Sequence, residues 1–296
     1  MNRELLLSRC PDLELKSDEP LSAHTTFRIG GPARWMAFPA SVAELTALLE
    51  CCAQEGETPL VLGNGSNVLA PDQGLDQLVI CTKNLSAISL EGTTLTVEAG
   101  CTMAKAALAA LNAGLTGMEF AHGIPGTVGG GVVMNAGAYG GELKNVVTSV
   151  TCLTPQGKQV VKSGEELHFG YRHSCFDEEP LIAVSITMEL TPGDPKQIKV
   201  QMEEYAAKRR ASQPLEYPSA GSTFKRPTGY FAGRLIEDSN LKGFTVGGAQ
   251  VSEKHAGFVI NKGGATCADV LALTEAVKET VRQKFGVTLE LEVKLL

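Results

Sequence analysis

Two short stretches of this chain carry residue types that can hold a phosphate by main chain alone. The first, Gly63-Asn64-Gly65-Ser66-Asn67, directly follows the apolar run Pro59-Leu60-Val61-Leu62, which reads as a strand end. Glycine and asparagine tolerate left-handed backbone, and successive N–H groups turned to one side form a nest for phosphate oxygens. The second, from Gly123 to Gly141, reads GIPGTVGGGVVMNAGAYGG and holds eight glycines in nineteen residues. Glycine loses more backbone entropy on folding than any other residue, so this density marks a main chain that must take φ > 0 or approach something closely. A tight turn followed by a glycine-lined helix on a sheet would also account for such a run. Two loops of this kind together favour a closely held ligand.

The commonest owners of phosphate loops fail residue by residue. No G-x-x-x-x-G-K-[ST] occurs, so a P-loop lacks its lysine, and Gly63-x-Gly65 reaches Val68 where a Rossmann fingerprint needs its third glycine. Neither a G-x-S-x-G elbow nor an H-E-x-x-H pair is present. The eight cysteines include no C-x-x-C, which removes the zinc and dithiol readings, and no metal is expected. A net charge of −7 argues against a nucleic-acid surface. The one dense basic cluster, Lys208-Arg209-Arg210, ends a helical pattern, where cations suit the helix dipole. Leu5-Leu6-Leu7 is too short for a signal-peptide core, and no apolar run approaches membrane-spanning length, so the reading is a cytoplasmic protein with reduced thiols and no membrane partner.

The elements that must position these loops follow from periodicity. With 296 residues, 43% apolar and 20% charged, the chain is an ordinary globular protein of about two domains. Ser41 and Glu44 form a capping box before Leu45, Leu48, Leu49 and Cys52, predicting a helix that feeds the strand ending at Gly63. Strands are predicted near Leu78–Cys81, Leu95–Glu98, Val146–Leu153, Gln159–Lys162 and Leu181–Leu190, with a helix over Met103–Leu111 and a hairpin turn at Pro155–Lys158. Thr191-Pro192-Gly193-Asp194-Pro195 punctuates the chain before a helix over Ile198–Arg210, and the domain boundary is placed there. Beyond it a loop through Tyr217–Pro227 precedes helices over Phe231–Glu237 and Ala268–Phe285, with short strands near Thr245 and Gly257–Asn261. From Val287 to Leu295, apolar and polar residues alternate, predicting a final strand with one buried and one solvated face.

Read in order, TTFRIGG (Thr25–Gly31), GNGSNVL (Gly63–Leu69), GIPGTVGGG (Gly123–Gly131), NAGAYG (Asn135–Gly140), YRHS (Tyr171–Ser174), AGSTFKRP (Ala220–Pro227) and AGFVIN (Ala256–Asn261) resemble the motif set of the UDP-N-acetylenolpyruvoylglucosamine reductase family. The resemblance covers nearly the whole chain. It implies an α+β protein: a vanillyl-alcohol-oxidase-like FAD-binding fold over residues 1–195, in subdomains of roughly 1–85 and 86–195, then a smaller α+β substrate-binding domain over 196–296. It also implies non-covalent FAD, NADPH as co-substrate, a nucleotide-sugar substrate, a monomer, and a role in peptidoglycan precursor synthesis.

By the same resemblance, Gly63, Asn64, Gly65, Ser66 and Asn67 take the FAD pyrophosphate. Gly123, Ile124, Pro125, Gly126, Thr127 and Gly129, with Asn135, Ala136, Gly137 and Ala138, line the rest of the cofactor. NADPH reduces the flavin, which then reduces the enolpyruvyl double bond while an acid protonates the neighbouring carbon. Arg172 matches the family arginine for the substrate carboxylate, a role suited to a planar guanidinium fork. Ser222 matches the proton donor, a poor acid in water that needs neighbouring cations such as Lys225 and Arg226. Periodicity does not separate Glu290 from Glu292; register against the family's terminal Glu-Val-Lys pattern picks Glu292, acting as a protonated acid with a raised pKa. Tyr171, Lys225 and Arg226 are carried over as substrate contacts. His122 and His173 are read as ordinary loop histidines. One branch of the family inserts a tyrosine-bearing lid after the strand equivalent to Leu181–Leu190; here Thr191–Pro195 leads straight to a helix. Two rivals stand beside this reading: another flavin oxidoreductase on the same fold, and a catalytically idle flavin- or nucleotide-sugar-binding protein.

Overall fold

The computed structural model describes residues 3–296. Compactness divides the chain into two units, one of Met1–Ser17, Trp35–Asn64 and Asp76–Ala207, the other of Asp18–Arg34, Gly65–Leu75 and Lys208–Leu296.

The first unit holds two α+β halves. In one, helices α1 (Arg3–Arg9) and α2 (Val42–Gln54) share a core with a sheet whose strand order is Glu14–Pro20, Pro32–Phe38, Leu75–Cys81, Leu60–Leu62. Ser41 starts α2 as expected, its hydroxyl accepting from the Glu44 amide at 3.2 Å, and Leu45, Leu48, Leu49 and Cys52 form its buried face. Leu60–Leu62 pairs in parallel with Leu75–Cys81, placing Leu62 beside Cys81 and delivering the chain to Gly63. The other half is a five-stranded antiparallel sheet in the order Gln159–Ser163, Val147–Leu153, Ile182–Glu189, Thr94–Glu98, Ile88–Glu91. Its core includes residues of α3 (Met103–Asn112) and of the six-residue α4 (Val128–Val133), the helix inside the glycine run. Thr191–Pro192 leads directly into α5 (Pro195–Ser212).

In the second unit, α6 (Ala232–Asp238) and α7 (Cys267–Phe285) share a core with a three-stranded antiparallel sheet of Thr245–Val246, Ala249–Val251 and Val259–Asn261. Thr266 and Asp269 form a capping box at the start of α7, and Gly286 ends it at φ +68°, a left-handed position that suits glycine. Asp72 reinforces the start of α7 by accepting from the Cys267 and Ala268 amides at 2.7 and 3.0 Å.

Two expectations change. The units are not the consecutive stretches 1–195 and 196–296, because Phe27, Ile29 and Leu69 belong to the same core as α6 and α7. Thr26 Oγ1 also donates to the Ser219 carbonyl at 2.7 Å, and Asn261 Nδ2 to that of Phe27 at 3.2 Å. The division consequently falls inside α5 instead of before it. The C-terminal stretch, moreover, is not one strand. Only Lys294–Leu295 pairs as a strand, in parallel with Val68–Leu69, while Leu291 makes an isolated bridge to Phe224. The alternation breaks with it: Leu295 is 54% exposed, whereas Glu292 is 9% exposed.

Among the described residues no helix is long and apolar enough to cross a membrane. All eight cysteines are buried free thiols, with burial pushing Cys52 and Cys152 up to about 12. They fill small apolar positions.

Candidate active site

In the first unit the glycine run is built largely around the protein's own atoms. Thr127 caps α4, its hydroxyl accepting from the Gly130 amide at 3.3 Å, and a Cβ on Gly63 would strike that same hydroxyl. Asn64 Nδ2 donates to the Pro125 carbonyl at 2.5 Å, so the two loops singled out by composition meet. A Cβ on Gly129 would lie 2.6 Å from Ala99 Cβ, one on Gly137 would lie 2.5 Å from the Gly141 carbonyl, and one on Gly141 would lie 2.5 Å from the Phe120 ring. Glycine density here therefore reports chain-on-chain packing at these positions, a requirement that composition alone could not separate from ligand contact. Replacing Gly129 with Ala is expected to destabilise the flavin-free protein by about 1–3 kcal/mol, because backbone and not a flexible side chain must yield. Urea unfolding of apo-protein checks this, and an unchanged midpoint would count against the packing account.

Asn135, assigned to the cofactor by resemblance, is fully buried at φ +43° and spends its amide inside the protein. Its Nδ2 donates to Gly170 O at 2.8 Å and to Glu142 Oε2 at 3.1 Å, while Oδ1 accepts from the Lys144 amide at 2.9 Å. Glu142 in turn is held below the usual carboxylate range, first by its hydrogen bond from Lys144, then by Asn135 and the nearby Arg172 charge. Ala136 is buried, and Gly137–Ala138 pairs with Gly141–Glu142 in a small hairpin. Arg172 sits in the turn closed by the Gly170 amide donating to His173 O at 3.0 Å. Its Nη2 donates to Gly137 O at 3.3 Å, and its guanidinium lies 5.2 Å from the centre of the exposed Tyr171 ring. His173 faces Asp177 and Glu178 at 3.1 and 3.0 Å.

In the second unit, the segment after Ser222 is clamped on both sides. The Thr223 amide donates to Gly257 O and its hydroxyl accepts from the Val259 amide, both at 2.9 Å. On the other side the Glu292 amide donates to Thr223 O and the Lys225 amide to Glu290 O, again at 2.9 Å. Ser222 and Glu292 are thus brought to neighbouring positions. The two glutamates that periodicity left equivalent are now distinct: Glu290 is 74% exposed and pairs with Lys225 at 3.5 Å, whereas Glu292 is buried. Arg226 stacks over the exposed Phe231 ring at 3.9 Å. Lys225 and Arg226 therefore have partners of their own, and the cationic support expected for Ser222 is not their only engagement. Asn67 Nδ2 donates to Glu292 O at 3.1 Å, which ties the first loop's last residue to the carboxylate's backbone. Gly65, at φ +58°, leaves no room for a side chain beside the His24 carbonyl, and its own carbonyl accepts from the Thr26 amide at 3.0 Å.

The donor chemistry fits a dinucleotide cofactor. In the first unit the Asn64 amide has no acceptor among the described residues, and in the second the same holds for Gly65 and Ser66. His122 Nδ1 is buried without a partner directly before Gly123-Ile124-Pro125-Gly126. Buried or loop donors left open in this way are satisfied when a polar ligand arrives. Composition missed Ser174, Thr223 and Thr26, the residues that fasten these loops; a hydroxyl residue that bonds a distant main-chain group has no compositional signature of its own.

Residues 33–163 match the model of an FAD binding domain, and residues 213–296 match that of the UDP-N-acetylenolpyruvoylglucosamine reductase C-terminal domain. The chain is 47% identical over 296 residues to the UDP-N-acetylenolpyruvoylglucosamine reductase of Limosilactobacillus fermentum, covering 100% of this chain and 99% of that one. With the protein of the same name from Agathobacter rectalis it shares 50% over 299 residues, 97% and 95% of the two chains. The crystal structure of the Thermus caldophilus UDP-N-acetylenolpyruvylglucosamine reductase (MurB) superposes with a TM-score of 0.81 at 34% identity, covering 96% of this chain and 98% of that one.

Proposed function

The chain belongs to the UDP-N-acetylenolpyruvoylglucosamine reductase family, and on that premise we propose that it reduces the enolpyruvyl group of UDP-N-acetylglucosamine enolpyruvate to UDP-N-acetylmuramate. It is an FAD-dependent oxidoreductase of peptidoglycan precursor synthesis, with NADPH as reductant. The same reading includes a monomer working in the cytoplasm. Gly63 to Asn67 would hold the pyrophosphate; Gly123 to Thr127, Gly129 and the backbone of Asn135 to Ala138 would line the rest of FAD. When bound, FAD supplies a carrier for the electron pair that passes from NADPH to the substrate double bond.

Arg172 grips the substrate carboxylate and draws electron density toward it, which makes the distal alkene carbon electrophilic. Glu292 supports the same polarisation from a buried position. Ser222 gives its hydroxyl proton to the carbon next to the carboxylate as charge builds there. Tyr171, Lys225 and Arg226 bind the remaining substrate. The observation that most supports this assignment within the second unit is the backbone pairing of Thr223 with Glu292, which brings the exposed Ser222 and the buried Glu292 to neighbouring positions.

Anaerobic titration tests the reading. Purified protein should be yellow, bleach with NADPH, and regain its colour on addition of the enolpyruvyl substrate. Colour restored by oxygen alone points to an oxidase on this fold, and protein that is never bleached points to an idle flavin-binding protein; either result overturns the proposal.

A further inference from the structure

Arg172 stands at φ +52°, a left-handed conformation that a side-chain-bearing residue holds only when its surroundings enforce it. Two buried polar side chains do so. Ser174, 0% exposed, donates from Oγ to Val133 O at 2.7 Å, taking up a carbonyl at the C-terminal end of α4 that has no helical partner. Asn135, also 0% exposed, donates from Nδ2 to Gly170 O at 2.8 Å, and its Oδ1 is fixed by the Lys144 amide. Both ends of the Gly170–Ser174 turn are thereby fastened to the residues where α4 finishes. The same stretch supplies Gly137 O, which receives Arg172 Nη2. The two tethers and the guanidinium contact thus refer to one rigid reference, the end of a helix capped by Thr127 and packed on the five-stranded sheet.

We propose that Asn135 and Ser174 are positioning residues for Arg172: they fix the turn so that the guanidinium is presented in one orientation. Asn135 then acts through Arg172 and not as a side-chain ligand of the cofactor. The proposal rests on the reading that Arg172 binds the substrate carboxylate. A buried serine and asparagine with every hydrogen bond directed at backbone or Glu142 cost desolvation, which is offset only if the turn they hold is worth holding.

Ser174→Ala removes one tether with no change of shape. Asn135→Asp removes the N–H donors of the other while keeping a residue type that accepts left-handed backbone. In flavin-loaded enzyme Ser174→Ala should bleach with NADPH at the wild-type rate and reoxidise with substrate about tenfold more slowly, a loss typical of a misaligned binding group, and Asn135→Asp should slow reoxidation by a similar factor. Adding Ser174→Ala to Arg172→Ala should cost nothing further, since the positioned group is gone. Hydrogen exchange should speed up at residues 170–174 while the five-stranded sheet keeps its protection. Multiplying losses in the double variant, or flavin content and bleaching rate that fall in step with reoxidation, would overturn the positioning role. If the wild-type protein itself is not reoxidised by substrate, the functional reading fails instead, and the exchange experiment still decides whether the tethers hold the turn.

Discussion

Alanine at Ser222 should leave reduction by NADPH untouched and slow reoxidation by the enolpyruvyl substrate by about 10²- to 10⁴-fold, the usual worth of a positioned general acid. The expectation is sharp because the backbone at this position does not depend on the hydroxyl. Thr223, 2% exposed, anchors the segment through Gly257 and Val259 on one side and Glu292 on the other. Ser222 itself is exposed and precedes this clamp, so losing its oxygen should change stability by no more than about 0.5 kcal/mol. Chemistry and folding are therefore separable in one variant. Stopped-flow absorbance of the flavin reads the two half-reactions independently. Reoxidation at the wild-type rate would take Ser222 out of the acid role. A fall in both half-reactions would instead place the serine in flavin binding.

How far the sequence reveals this arrangement depends on whether local or distant contacts decide each piece. The helices α2, α3 and α7 are legible because caps and periodic apolar residues lie within the element itself, as Ser41 with Glu44 and Thr266 with Asp269 illustrate. The terminal stretch is not. Its alternation from Val287 to Leu295 satisfies every local rule for a strand, yet Glu292 turns inward and Leu295 outward because Thr223 and Val68–Leu69, about 70 and 225 residues away, dictate the pairing. The same distance effect hides the unit boundary, since Phe27 and Leu69 join a core built mainly from the last third of the chain. At the site, the glycine run is conspicuous in composition, but its meaning divides. Gly129, Gly137 and Gly141 answer to Ala99, the Gly141 carbonyl and Phe120, whereas the Asn64, Gly65 and Ser66 amides find no acceptor among the described residues. Arg172, Ser222 and Glu292 carry no compositional mark at all; an ordered set of motifs picks them out, and burial then separates Glu292 from Glu290.

Lysine at Arg172 should cut the rate of reoxidation by substrate by about 10²-fold or more while bleaching by NADPH stays within a factor of two. The substitution keeps the charge, so it asks whether charge or geometry matters. Backbone strain does not confuse the answer, because a lysine at φ +52° is held in the same left-handed conformation as the arginine it replaces. What changes is the donor set. Arginine can spend Nη2 on Gly137 O at 3.3 Å and still present further N–H groups in a fixed plane, a fork that matches both oxygens of a carboxylate. A lysine ammonium is a single point on a flexible stem: engaging Gly137 O draws it from the substrate, and engaging the substrate surrenders the contact that orients it. Glu142, held ionised beside Asn135, Lys144 and Arg172, would compete for the shorter cation as well. The loss should therefore appear chiefly in the rate at saturating substrate, since an electrostatic grip that is present but misdirected weakens the transition state more than the bound ground state. A variant that lost only affinity, with the saturated rate preserved, would show that Arg172 merely gathers the anion. Wild-type behaviour in both parameters would exclude the fork from the reaction.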